Sequence, residues 1–176
     1  MKRIEVTIKG KSPLLMHSFP MTEIKGIAKM TPEEQAEHST YRHPDSGKLY
    51  IPGMNFRQCL VNGAAYSKGK GRANLSKTVA ACVDVTPEYL MLGTKDFSVD
   101  TRPVVIKATG GRILRHRPRL DEWQVKAMIE YDDELLSEKQ MRQIVDDAGQ
   151  RVGLLDFRPE KKGPFGRFVV IKWAAA

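Results

Sequence analysis

The sequence predicts an α+β fold in which helices cover one face of an antiparallel sheet. Three observations lead there. Residues 2–9 and 123–131 alternate apolar and polar side chains with the period of a half-buried strand. Residues 56–63 and 141–148 instead place apolar side chains at helical spacing. With the β-favouring segments at 112–120 and 168–173, the order along the chain becomes strand, helix, strand, strand, helix, strand. This βαββαβ order is that of a ferredoxin-like or RRM-like layer.

Each element has its own local reason. In the first strand Ile4, Val6 and Ile8 share one side, Arg3, Glu5, Thr7 and Lys9 take the other, and Gly10 to Pro13 end it. Residues 14–50 show no sustained period; Pro20, Pro32, Pro44 and Gly47 punctuate them, and only 32–38 form a helical patch. That is too long for an ordinary connection, so residues 14–50 are read as an insertion. After Ile51-Pro52-Gly53, residues Phe56, Cys59, Leu60 and Gly63 fall at i, i+3, i+4 and i+7, which predicts a helix ending near Tyr66. A β-hairpin insertion is expected over about 68–108, where β-favouring runs at 78–85, 89–92 and 103–107 alternate with Pro87 and Gly93. Gly110-Gly111 is a turn signal before the strand at 112–120. Ser137 and Gln140 have capping-box spacing, and Met141, Ile144, Val145 and Ala148 form the apolar stripe of the second helix. Residues 168–173 close the sheet, and Ala174 to Ala176 read as a chain-end remnant. No repeat or boundary divides the chain, so residues 1–176 are expected to form a single domain.

Composition narrows the function. The 176 residues carry 29 Lys plus Arg against 21 Asp plus Glu, a net charge of +8. Residues 121–147 hold nine acids and three bases, so the other 149 residues carry +14. A polyanion is therefore the first partner to consider. No run reaches the roughly 18 apolar residues of a membrane span and no signal-peptide core follows the first residues, so the expected location is cytoplasmic. Cys59 and Cys82 sit in apolar surroundings without metal-ligand spacing and are read as buried thiols.

Two basic segments stand out. Between Arg102 and Arg119 lie Lys107, Arg112, Arg115 and Arg117, with no acid. On an extended strand Arg115, Arg117 and Arg119 share a face at spacings of about 6.6 to 7 Å, close to that of successive phosphates. An edge strand protected by charge, or a surface paired with the acidic residues near 130–134, is the competing explanation. The second segment runs from Lys161 through Lys162, Gly163, Phe165 and Gly166 to Arg167. Its glycine N–H groups and cations suit a phosphate, and Phe165 suits stacking on a base; a plain turn accounts for the glycines alone. The loop Lys68-Gly69-Lys70-Gly71-Arg72 adds Lys68, Lys70 and Arg72.

Catalytic signals are weak. His38 and His43 lie near Asp45 in the aperiodic region, and Asp132, Asp133 and Glu134 follow a strand, but solvated or structural roles are the ordinary explanations. No Walker loop, nucleophile elbow or dinucleotide fingerprint is present. No catalytic residue, metal or cofactor is expected.

Ser12-Pro13-Leu14-Leu15 after the first strand, Ile51-Pro52-Gly53 leading into a helix with Arg57, and the Gly163 to Phe168 loop together resemble the RAMP superfamily of CRISPR-associated proteins. Within it, the likeness is to the backbone subunits arrayed along a guide RNA. The resemblance implies an RRM-like fold, with the insertion after the first strand acting as a thumb, and a non-catalytic single-stranded RNA-binding subunit that self-associates along its cargo beside other effector subunits. It implies that His17, Arg57 and the 161–167 loop face the RNA, and Arg42 is taken as a further RNA-binding candidate. Two alternatives accompany it: a phage single-stranded DNA-binding or annealing protein, and a guide-processing endoribonuclease using His17 or His43 as acid or base.

Overall fold

A computed structural model describes residues 1–67 and 74–176. In chain order these form β1 (Lys2–Gly10), β2 (Leu14–Leu15), α1 (Pro32–Glu37), β3 (Tyr50–Pro52), α2 (Gly53–Gly63), α3 (Ser76–Cys82) and β4 (Val83–Thr86). There follow β5 (Tyr89–Met91), β6 (Ser98–Val105), β7 (Arg112–Leu120), β8 (Gln124–Tyr131), α4 (Glu138–Asp147) and β9 (Phe168–Ala175). The architecture is α+β with antiparallel sheets.

The main sheet has the strand order β4-β8-β1-β9. Strict alternation on β1 buries Ile4, Val6 and Ile8 beside Val125, Ala127 and Ile129 of β8. The stripes anticipated from helical spacing, Phe56, Cys59 and Leu60 of α2 and Met141, Ile144 and Val145 of α4, close onto them in one hydrophobic cluster. The other face of the sheet is held by charge. Glu5 sits 2.6 Å from both Lys126 and Lys172, whose hydrogen bonds lower its carboxyl pKa, and Arg3 reaches Glu130 at 2.6 Å. At the start of α4, Ser137 accepts from the Gln140 N–H while the Gln140 side chain accepts from the Ser137 N–H.

Three expectations are corrected. Residues 112–120 do not enter the main sheet; β7 pairs with β6 and β2 in a separate three-stranded sheet, and β4 takes the edge beside β8. Residues 78–85 are not one β run but mostly the helix α3. Its end is stabilised by Arg57, which donates to the carbonyls of Ala80 (2.6 Å) and Val83 (2.9 Å). Ala174 and Ala175 are no remnant: they pair with Glu5 and Ile4, and the Ala176 N–H donates to the Arg3 carbonyl at 3.0 Å.

Residues 14–50 divide in two. Most of 18–31 is exposed, whereas Thr31 and Glu34 cap α1, Ala36 is buried, and α1 lies against β6 and β7. Among the described residues no helix is long and apolar enough to cross a membrane.

Gly63 marks the closest approach of α2 to the turn after α4. A Cβ there meets Ala148 Cβ at 2.7 Å and Ala148 Cα at 2.8 Å. Gly63→Ala is expected to destabilise the fold by about 1–3 kcal/mol through overpacking. A urea midpoint that is unchanged or higher contradicts this packing.

Candidate nucleic-acid interface

The two basic segments, about fifty residues apart, meet on one aromatic ring. Arg102 of β6 and Arg119 of β7 place their guanidinium carbons 4.9 and 5.7 Å from the centroid of Phe165. Beneath them Asp100, 7% exposed, accepts from Arg102 at 2.7 Å and from Arg119 at 3.4 Å. Phe165 is itself buried and leans on Phe157, so its ring is not offered to a base, contrary to expectation.

The glycine N–H groups of this loop are not free either. Gly163 donates to the Arg158 carbonyl and Gly166 to the Pro13 carbonyl. A Cβ on Gly163 falls 1.8 Å from the Phe157 carbonyl oxygen, and Gly166, at φ +75°, lies against the Leu154 backbone. Both glycines serve close packing rather than an anion nest. Lys161, Lys162 and Arg167 remain exposed.

Along β7 the face bearing Arg115, Arg117 and Arg119 descends from solvent into the protein. Arg115 is exposed, Arg119 is bonded to Asp100 and Asp121, and Arg117 is 8% exposed with its Nε 3.0 Å from Asp156 Oδ2. That pair lacks the alignment of a hydrogen bond. Arg117 is therefore an internal ion-pair partner. Arg42 is half-buried and tied to the protein's own groups, bonded to Glu37, to the Gly47 carbonyl and to the Lys95 carbonyl. Arg57 is the helix cap described above. Lys68, Lys70 and Arg72 lie outside the described residues. Among the described residues, Lys107, Arg112, Arg115, Lys161, Lys162 and Arg167 are exposed or near the hairpin tip and make no ion pair with a carboxylate.

Behind this ridge lies a cleft of about 400 Å³. His17 and Phe19 contribute one wall, Tyr41 another, α2 supplies Asn55, Gln58 and Asn62, and the loop after α4 supplies Asp156 and Arg158. Of these only His17 was anticipated. The missed signal was legible: positions 55, 58 and 62 follow helical spacing on the polar side of α2.

His17 Nδ1 lies 3.5 Å from Asp156 Oδ2. Burial raises the Asp156 carboxyl pKa, but His17 and the Arg117 charge outweigh it and hold the group below its ordinary value. The cleft floor is Cys59, whose thiol donates to the Gly153 carbonyl at 3.2 Å and is pushed far up by complete burial. His43 accepts the N–H groups of Asp45 and Ser46 and packs edge-on against Tyr89, a turn-forming role. Among the described residues no group of three or more His, Cys, Asp or Glu could hold a metal ion. The chain matches no protein-family model and no curated protein.

A carboxylate held below its unfolded value contributes stability above that value and loses it as pH falls through the folded one. Stability contributed by Asp156 is thus present above about pH 4 and lost progressively below it. Asp156→Asn is expected to cost about 1–3 kcal/mol at neutral pH, because Arg117 loses its partner in a partly solvated site. It should also flatten the acid limb of a stability against pH curve. Equal pH dependence in variant and wild type rules out this linkage.

Proposed function

We propose that this protein is a non-catalytic, single-stranded RNA-binding subunit of a CRISPR-like ribonucleoprotein, holding the phosphate backbone of a guide RNA and self-associating along it. The observation that carries this reading is that Lys107, Arg112 and Arg115 of the hairpin and Lys161, Lys162 and Arg167 of the loop are exposed, on two segments that touch where Arg102 and Arg119 lie over Phe165. Exposed cations with no carboxylate of their own are what a phosphate chain requires. The fold supports a RAMP-type, ferredoxin-like arrangement: β1, α2, β4, β8, α4 and β9 follow the strand, helix, strand, strand, helix, strand order, and the four strands form one antiparallel sheet. In that arrangement residues 14–50 are the thumb, β6 and β7 an elaboration between the second and third core strands, and the particle cytoplasmic, with other effector subunits as partners. Single-stranded DNA, as cargo of a phage protein, satisfies the same electrostatics; matched RNA and DNA oligomers in competition separate the two.

A second reading has its own observation. The His17 and Asp156 pair on the cleft wall has the form of a base and its orienting carboxylate, which favours a guide-processing endoribonuclease of the RAMP type. Incubation of labelled RNA decides this: discrete cleavage by the wild type that disappears in His17→Ala replaces the non-catalytic reading.

Binding of a mixed-sequence RNA oligomer is expected to weaken with salt, with a log–log slope of about −4 if the six cations named for the hairpin and loop meet phosphates. Arg167→Glu should weaken binding far more than Lys139→Glu on the acidic side. Salt-independent binding, or equal losses from the two reversals, removes the proposed interface.

A further inference from the structure

The cleft beside the ridge does not share its chemistry. Each of its charged groups is already matched by another. Arg158 donates to Glu160 at 2.9 and 2.7 Å and to the Leu155 carbonyl at 2.8 Å, while Asp156 is held between His17 and Arg117. A phosphate entering here gains no unpaired cation.

What the cleft does offer is unspent hydrogen-bonding capacity next to aromatic surface. Among the described residues Asn55 finds no side-chain hydrogen-bond partner, and Gln58 uses only its amide nitrogen, donating to Asn62 at 2.8 Å. Asn62 in turn donates to Glu160 at 2.7 Å, which fixes the Gln58 side chain with its carbonyl oxygen unspent. Asn55 and Gln58 are three residues apart on α2, hence neighbours on one face. Tyr41 and Phe19 line the same cleft, and Phe19 is 83% exposed although it borders it. An exposed apolar ring and carboxamides lining one cleft of about 400 Å³ suit a planar ligand with a polar edge, within the size range of small-molecule sites.

We infer that this cleft takes one unpaired nucleobase of the bound strand, stacked on Phe19 and hydrogen-bonded along its edge by Asn55 and Gln58. The inference rests on the single-stranded nucleic-acid reading and deepens it. A carboxamide presents a donor and an acceptor side by side, which matches the edge of a base splayed out of its stack. A base is favoured over a sugar because it combines a π face for the ring with in-plane donors and acceptors for the carboxamides. The strand is thereby fixed at one nucleotide while its phosphates lie on the ridge.

The test compares a uridine nonamer carrying one central 2-aminopurine with an abasic oligomer of the same length and charge. The wild type should bind the base-bearing strand more tightly and quench the probe. Phe19→Ala should lower affinity for the base-bearing strand by about 5- to 150-fold and relieve the quenching. Its affinity for the abasic strand should stay within about twofold of wild type, since phosphate contacts are untouched. Asn55→Ala with Gln58→Ala should reduce affinity for the base-bearing strand while the stacking surface persists. Equal wild-type affinity for the two strands, or parallel losses on both in Phe19→Ala, overturns the inference and leaves RNA binding standing. Failure of the wild type to bind either strand removes the binding reading itself, and the inference with it.

Discussion

Like charges converge in a folded protein only where something between them takes up the repulsion, and here that role falls to Asp100. It is almost wholly buried between two guanidinium groups that also lie over one phenyl ring. The ring supplies apolar surface and a favourable quadrupole, and the carboxylate supplies the opposite charge. Without Asp100 the guanidinium groups of Arg102 and Arg119 would lie over one ring with no opposite charge between them. The approach of these two arginines therefore depends on one acid that lies just ahead of the basic stretch in sequence.

The loop that delivers Phe165 is held in an expensive conformation. Leu155, Phe157 and Lys162 have positive φ without being glycine, and Gly153 and Gly166 add two more such positions. Left-handed backbone at a non-glycine residue costs on the order of 1–2 kcal/mol. The offset comes from what the path buries: Leu154 and Leu155 join the core, Phe165 packs beneath the guanidiniums, and Asp156, between two strained residues, reaches Arg117 and His17. This is why the loop cannot also be a flexible anion nest. Its glycines are there because Cβ atoms would strike the Phe157 and Leu154 backbones.

Much of the fold was legible because long periodic elements announce themselves. The alternation of 2–9 and 123–131 and the stripes of α2 and α4 all appear with nearly the expected bounds. What escaped were short elements. A four-residue strand such as β4 cannot display a period, and the seven residues of α3 read as β-favouring until Arg57 caps their carbonyls from another helix. At the site, the shared face of Arg115, Arg117 and Arg119 was correctly placed by strand geometry. Their different fates were not, since Asp156 lies 39 residues from Arg117 and only tertiary packing brings it near. Local spacing fixes which side chains face together; it says nothing about which of them will find a carboxylate.

That distinction separates affinity from register. Cations without partners act at long range and do not discriminate one phosphate from the next, so a strand held by them alone can slide. A site with paired charges and unspent amides does the opposite: it contributes little to attraction at a distance but is satisfied only by a group of the right shape and edge. In the proposed complex the two lie side by side, because the loop after α4 forms the wall of the cleft with Arg158 and then continues to the cations at Lys161, Lys162 and Arg167. In that complex one strained segment would join the proposed strand-attracting cations to the proposed base-holding cleft. A change that relaxes the segment is felt at both.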